Sequence, residues 1–469
     1  MRVLLLSPPF QVDYMRNARC DFISLSRTQW YPIFLGHAGA LLEKHGHNVL
    51  LIDAPATRLM HTRVEQMARD FRPDVLVIYG GRMSETNDQQ MADGLTKSLG
   101  CRSVFCGPYV SMAPRRWLDN TQHVVAAVEG EFEHPVLEFV EQTPLDAIRN
   151  LHFRKADEIV RNEPRPYLTR EQLDAIPFVS KFFLKHLDLR HYRAMSEPFP
   201  FMDIMTGRGC YWGVCSFCLW VHTYIKGPTY NSRSLDNVLK EIDFIRSRIP
   251  QVKSIMLQDD SLPEERACAI SEGILDQGWN VRWSCYTRPD LPADTLRLMS
   301  EAGCLNLHVG FESGDSDVLG GSHKGIGIER MEQFVRDAKA AGLHIHGDFL
   351  MGLEGETPNS LKTTTEWATS LDVDTAQFQV VIPLEGTPLY RSLADKGWLK
   401  DGYPNYPGLS PEQLHSMARK AYRSFYLSPR QLLKLFSHPR TRLWHYLKVA
   451  HKVIPSVFWR GPRLEKSNI

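Results

Sequence analysis

The chain has 469 residues, 43% of them hydrophobic, with 55 Lys and Arg against 54 Asp and Glu, a net charge of +1 and a pI near 7.7. That length exceeds what one hydrophobic core usually serves and predicts two or three domains, and the near-neutral balance argues against a general nucleic-acid binder. The longest apolar runs, such as residues 3–6, are far too short to cross a bilayer, and nine scattered cysteines without a secretory signal point to a reducing, cytoplasmic setting.

In chain order, residues 2–9 are a short apolar run ending in Ser-Pro-Pro, 36–46 a helical pattern closed by Gly46, and 47–53, 73–79 and 103–106 three further buried strands. Strand and helix alternate, which predicts a doubly wound, Rossmann-like parallel sheet whose ligands gather at the carboxyl ends of the strands. Gly80-Gly81, Gly107-Pro108-Tyr109 and Glu129-Gly130-Glu131 fall at such ends, and on spacing alone they read as tight turns. Residues 141–198 read as a connector without chemistry, with a capping-box pattern at Thr169 and Gln172.

From residue 202 the alternation resumes, with strands over 202–206, 254–258, 281–285, 305–311, 345–351 and 377–382, and helices over 235–248, 264–276 and 328–341. Six such units predict a partial (β/α)6 TIM-like barrel, whose reactive groups sit on loops at the carboxyl ends of its strands. The expected organisation is therefore 1–140, a doubly wound domain; 141–198, a connector; 199–395, the partial barrel; and 396–469, a helical tail.

Cys210, Cys215 and Cys218 lie in Gly-Arg-Gly-Cys-Tyr-Trp-Gly-Val-Cys-Ser-Phe-Cys, directly after the first barrel strand. Three thiolates on one loop can hold three irons of a cubane 4Fe-4S cluster and leave the fourth open to another ligand. A structural zinc site would need a fourth Cys or His at ligand spacing, for which His222 is the nearest candidate. Other strand ends carry Asp259-Asp260, Arg288, Glu312-Ser313 and the turn 352–357. Taken singly these would equally serve as a helix cap, a surface ion pair and a turn. His344, His346 and Asp348 alternate along the fifth strand and share one face, which suits a substrate pocket if that face looks inward. Cys20, Cys101, Cys106, Cys268, Cys285 and Cys304 read as apolar packing, with Cys285 the one placed to face a cavity.

The cysteine loop resembles that of the radical SAM superfamily, which reads C-x3-C-x2-C with an aromatic before the last Cys. Here Phe217 keeps the aromatic, while the first gap is one residue longer and Gly213 is placed to absorb the extra turn. The resemblance implies S-adenosylmethionine bound at the open iron and cleaved reductively to a 5'-deoxyadenosyl radical. It implies contacts to S-adenosylmethionine from Phe217, Asp259, Arg288, Glu312 and Ser313, with Gly352 and Leu353 against the adenine. Trp30-Tyr31-Pro32, Asp53-Ala54-Pro55 and the turn at 107–111 are similar to the cobalamin-binding domain that precedes many such barrels. That similarity implies cobalamin contacts at Gly107, Tyr109, Gly130 and Glu131, and no protein histidine on cobalt, since D-x-H-x-x-G is missing.

Residues 428–469 carry nine Lys or Arg against one acidic residue, interleaved with Leu, Phe, Trp and Val. Such a tail suits either a peripheral contact at the inner face of a membrane or a helical cap over the barrel. Within the superfamily, Trp30-Tyr31-Pro32, Cys218-Leu219-Trp220 and the run 344–352 resemble the hopanoid-biosynthesis branch, whose relatives include Mg-protoporphyrin ester cyclases. This implies remodelling of a lipid head group or similar hydrophobic small molecule, with His346 and Asp348 toward substrate and a reductant such as flavodoxin or ferredoxin as partner. The alternative is a cobalamin-dependent radical C-methyltransferase acting on a secondary metabolite.

Overall fold

The computed structural model describes residues 1–17, 21–24, 27–194 and 196–436. Seven strands form the first sheet, in the order Asn48–Asp53, Arg2–Ser7, Val75–Tyr79, Arg102–Cys106, Ala126–Val128, Leu151–Lys155 and Glu158–Arg161. The first five run parallel, Leu151–Lys155 runs antiparallel to them, and Glu158–Arg161 runs antiparallel to it. Apolar side chains point to both faces because helices cover both: Leu5, Val77 and Val104 join one core, Leu4, Leu6, Leu76, Ile78 and Phe105 the other. The chain places its second strand on one side of Arg2–Ser7 and its third on the other, so a ligand crevice is expected at the carboxyl ends there.

Two expectations change. The helix expected from residue 36 begins earlier, at Ile33–Lys44, immediately after Pro32, a residue that suits a helix start. The stretch 141–198 is more than a connector, since Leu151–Lys155 and Glu158–Arg161 extend the first sheet and the helix Val179–His186 packs on Ile33–Lys44. That helix pair approaches closely because a Cβ on Gly36 or Gly39 would lie 2.5 Å from Phe183 or 2.3 Å from Phe182. Short strands at a sheet edge have too few residues to show an alternation, so tertiary pairing alone reveals them.

The second sheet has six parallel strands in strict chain order: Phe201–Ile204, Ser254–Leu257, Trp283–Thr287, Cys304–Glu312, His344–Met351 and Thr375–Val380. Each is followed by a helix, among them Leu235–Arg248, Glu264–Asp276 and Ile328–Ala340, and the two outermost strands pair on one side only. Trp283, Cys285, Leu307, Val309, Phe311, Ile345, Phe349 and Met351 are buried toward the helices, as the packing of Phe311 and Phe349 on Trp367 shows. Alternation turns Ser284, Tyr286, Asn306, His308, His346 and Asp348 to the opposite, inner face. Cys285 therefore packs toward the helices, beside Cys304, and does not face the inner cavity.

Helix Pro411–Tyr426 closes over the last strand through Tyr422 and Phe425 against Phe378. Helix Pro429–Phe436 follows, with Lys434 paired to Asp372 at 2.7 Å. Most of the basic, aromatic tail, residues 437–469, and Cys20 lie outside the described residues. Among the described residues no helix is long and apolar enough to cross a membrane.

Candidate active site at the carboxyl ends of the second sheet

The cysteine loop is a lobe pinned at its base. Strand Gly207–Cys210 pairs antiparallel with Thr229–Ser232, and a Cβ on Gly209 would lie 2.2 Å from the Thr229 carbonyl oxygen. Gly209 donates its N–H to Asp260 Oδ2 at 2.8 Å, and Tyr211 donates its hydroxyl to Asp290 at 3.1 Å. Gly213, the residue expected to absorb the lengthened gap, sits at φ +65° with a virtual Cβ 2.2 Å from Pro228 N, so only glycine fits that turn. After Cys218 the chain enters a π-helical turn, Trp220–Tyr224, a form that concentrates at functional sites.

The three thiols are half-buried and within electrostatic reach of one another. Burial pushes the Cys218 thiol up to about 12 and raises that of Cys215. Buried thiols of this kind give up their protons when metal supplies compensating charge. Among the described residues no three His, Cys, Asp or Glu side chains converge on a single-ion site. Three thiolates on one loop suit a cubane, in which each takes a different iron, whereas tetrahedral zinc would need a fourth ligand. His222 Nε2 donates to the Cys215 carbonyl at 3.0 Å, which ties the π-helical turn back to the lobe. The residues present thus fit a cluster with an open corner.

Around the lobe the structure gathers Asp260, Arg288 and Glu312. Arg288 is buried, with Nη2 donating to the Lys324 carbonyl at 2.8 Å, Nε paired to Asp290 at 3.1 Å, and its guanidinium 4.5 Å from the Trp212 ring centre. Glu312 stands at φ +67° beside a register shift at the end of its strand and pairs with Lys324 Nζ at 2.9 Å. Phe217 is partly buried against the core.

The other residues expected to contact S-adenosylmethionine have partners within the protein. Asp259 is fully buried and accepts from Thr206 N at 2.7 Å, Thr206 Oγ1 at 2.6 Å and Tyr230 at 2.5 Å, so it fastens the base of the lobe, and burial raises its pKa. Ser313 bonds Thr364 of the following helix at 3.0 Å. The Gly352 and Leu353 carbonyls accept from Tyr406 at 2.9 and 2.7 Å, beneath the segment that leads into Pro411–Tyr426.

Expected cobalamin positions gather where the first sheet's strand ends meet the turn Trp220–Tyr224. Helix Pro108–Met112 packs on that turn, Gly107 stands at φ +111° against Tyr79, and Gly130 donates to Ser111 Oγ at 2.8 Å. Tyr109 is buried here. The Glu131 carboxylate is committed instead to Arg208 at 2.9 Å and Leu168 N at 2.8 Å. Arg208 also holds Glu133 at 2.6 Å and His37 at 3.0 Å, a buried cross-link two residues before Cys210. Two polar atoms in this seam, the Tyr224 hydroxyl and Glu133 Oε2, are buried without a hydrogen-bond partner, and a Cβ on Gly130 would find no atom closer than 3.7 Å. Orphaned polar atoms beside an open glycine edge and aromatic faces fit a large, amide-rich ligand.

His346 and Asp348 do share the inner face. Tyr286, His308 and His346 are direct neighbours across three strands, with ring centres 4.9 and 5.1 Å apart. His346 bonds Thr375 Oγ1 at 2.7 Å and lies 3.6 Å from Asp348, whose side chain is 36% exposed. Trp30 of the first domain reaches this group, 6.0 Å from the His308 ring. Sequence reasoning missed Glu197, Arg208, Trp212, Tyr224 and Lys324. Only the Gly-Gly-Ser-His-Lys-Gly run at 320–325 signals a special turn near Lys324.

Residues 204–368 match the Radical SAM superfamily. The chain is 28% identical to an uncharacterized methyltransferase of Pyrococcus horikoshii, over 93% of this chain and 95% of that protein. It is 23% identical to the cytidylyl-2-hydroxyethylphosphonate methyltransferase of Streptomyces wedmorensis, over 90% of each. Its fold is similar to that of the cobalamin-dependent S-adenosylmethionine radical enzyme OxsB, solved with aqua-cobalamin and S-adenosylmethionine bound. There the TM-score is 0.69 at 15% identity, covering 97% of this chain and 72% of that one.

Proposed function

We propose that the chain, whose residues 204–368 match the Radical SAM superfamily, is a cobalamin-dependent C-methyltransferase that acts on a small molecule. The observation that carries this reading is the seam itself: the turn Trp220–Tyr224, two residues past Cys218, packs directly on the strand-end helix Pro108–Met112 of the first domain. A group held there would lie beside whatever the three thiols hold. Full-length likeness to proteins named as methyltransferases supports it, and the lipid head-group expectation gives way to it. The tail that would meet a membrane lies outside the described residues from 437 onward.

When bound, a cluster on this loop would supply the electron for splitting S-adenosylmethionine, and cobalamin would supply the methyl group. Cys210, Cys215 and Cys218 hold the cluster. Asp260 and Asp290 fix the lobe, Glu312 and Arg288 stand beside it, and Gly107, Tyr109 and Gly130 flank the seam. The inner face, with Tyr286, His308, His346 and Asp348, offers donors and acceptors that orient a polar substrate. Trp30 of the first domain covers the His308 end of that face, 6.0 Å from its ring, while Asp348 stays open to solvent. An external low-potential donor such as a flavodoxin or ferredoxin supplies the electron.

Anaerobic reconstitution with cobalamin and S-adenosylmethionine tests the reading. Each methylated product should be accompanied by one 5'-deoxyadenosine and one S-adenosylhomocysteine, and replacing any of the three cysteines by Ala should abolish 5'-deoxyadenosine. Turnover with 5'-deoxyadenosine and no S-adenosylhomocysteine would overturn methyl transfer. Retained cleavage in a cysteine variant would overturn the cluster assignment.

A further inference from the structure

Segment 321–325 is clasped along the outer rim of the cysteine lobe. Ser216 N donates to the Ser322 carbonyl at 3.0 Å and its Oγ to the Gly321 carbonyl at 3.3 Å, while Trp212 Nε1 donates to the His323 carbonyl at 2.8 Å. Arg288 Nη2 holds the Lys324 carbonyl at 2.8 Å, and Gly325, at φ +71°, lies flat under Trp212, where a Cβ would come within 2.0 Å of the ring. These bonds flank Cys215 on both sides, through Trp212 and Ser216. Pinned in this way, Lys324 sends its side chain inward, where it is 8% exposed and meets Glu312 at 2.9 Å. Gly310 leaves the room: a Cβ there would stand 2.3 Å from Glu312 Oε1 and 3.0 Å from Lys324 Nζ.

We infer that Lys324 is a positioning residue for electron delivery, its buried ammonium raising the reduction potential of the cluster on Cys210, Cys215 and Cys218. Reduction adds one electron and no proton to an already anionic cluster, and in a desolvated site a nearby cation lowers the cost of that charge. The charges around the lobe are Lys324 and Arg288 on one side, Glu312, Asp260 and Asp290 on the other. Arg288 is paired with Asp290 at 3.1 Å and Lys324 with Glu312 at 2.9 Å, while Asp260 accepts the Gly209 N–H. The segment that carries Lys324 is clasped beside Cys215 through Trp212 and Ser216, so neutralising its buried ammonium removes positive charge next to the lobe.

The test is an EPR-monitored potentiometric titration of the anaerobically reconstituted, substrate-free protein with dithionite as electron source. Lys324→Gln should shift the reduced-to-oxidised ratio at fixed potential about tenfold toward oxidised, a midpoint lower by about 59 mV. Lys324→Arg should stay within about threefold of wild type, and Glu312→Gln should move the midpoint upward. A Lys324→Gln midpoint equal to wild type at full iron content overturns the inference, as does movement of both variants in one direction. If Lys324→Gln assembles no cluster, Glu312→Gln decides alone: an upward shift supports the inference and no shift overturns it. The inference rests on the cluster assignment and not on methyl transfer. A wild type with no reducible cluster sinks both, whereas equal midpoints with a normal cluster sink this one only.

Discussion

Glu197 offers the sharpest quantitative test of how the inner face is built. Its carboxyl is fully buried at the amino-terminal end of the second sheet, accepts from Ser284 Oγ at 2.9 Å and Ser254 Oγ at 3.3 Å, and lies 3.4 Å from His308 Nε2. Burial pushes its pKa from 4.5 up to about 7. Asn306 Nδ2 lies 3.0 Å from the same His308 nitrogen. The folded state therefore holds a proton that the unfolded chain releases above pH 4.5, so stability falls as pH rises between 4.5 and about 7. At about 1.4 kcal/mol per pH unit, this amounts to about 3 kcal/mol lost by pH 8. Glu197→Gln copies the protonated acid in shape and donors. It should match wild type at pH 4.5 and exceed it by up to about 3 kcal/mol at pH 8. Urea denaturation at both pH values measures this. A variant that is equally destabilised at both would show that Glu197 works as a paired carboxylate and refute the argument.

Two further substitutions probe the lobe and the seam. Gly213→Ala forces a side chain into the left-handed region against Pro228 N and should cost more than about 2 kcal/mol; full iron content and unchanged melting in the variant would contradict the close approach. Arg208→Met strands Glu131 and Glu133 in the interior and should cost about 3–5 kcal/mol. Adding Glu131→Gln and Glu133→Gln should restore much of the lost melting temperature, and no recovery would mean that Arg208 acts through packing alone.

Long apolar runs such as Arg2–Ser7 and Val75–Tyr79 were legible because both faces of each strand are covered, which leaves a signal several residues long. The capping box at Thr169 was legible because it is a local bond pattern, and the structure forms both of its bonds. Asp259, Ser313 and Gly352 show the limit. Each stands at the end of a barrel strand, as expected, but a residue's position in the chain does not say which way its side chain turns. Asp259 turns to Thr206 and Tyr230, Ser313 to Thr364, and Gly352 is roofed by Tyr406.

Chemistry concentrated in one short segment was decided by the amino-acid order alone: three thiols within nine residues, a glycine in the lengthened gap, and a strand directly before them. Spacing along the backbone limits which thiols can share a cluster, so no distant contact is needed to read it. What surrounds that cluster was decided only by folding. Lys324 lies more than a hundred residues beyond Cys215, Glu131 some eighty before Cys210, and Glu197 reaches His308 across four strands. Charge–charge coupling depends on distance through space and on burial, and neither is written in the separation along the chain.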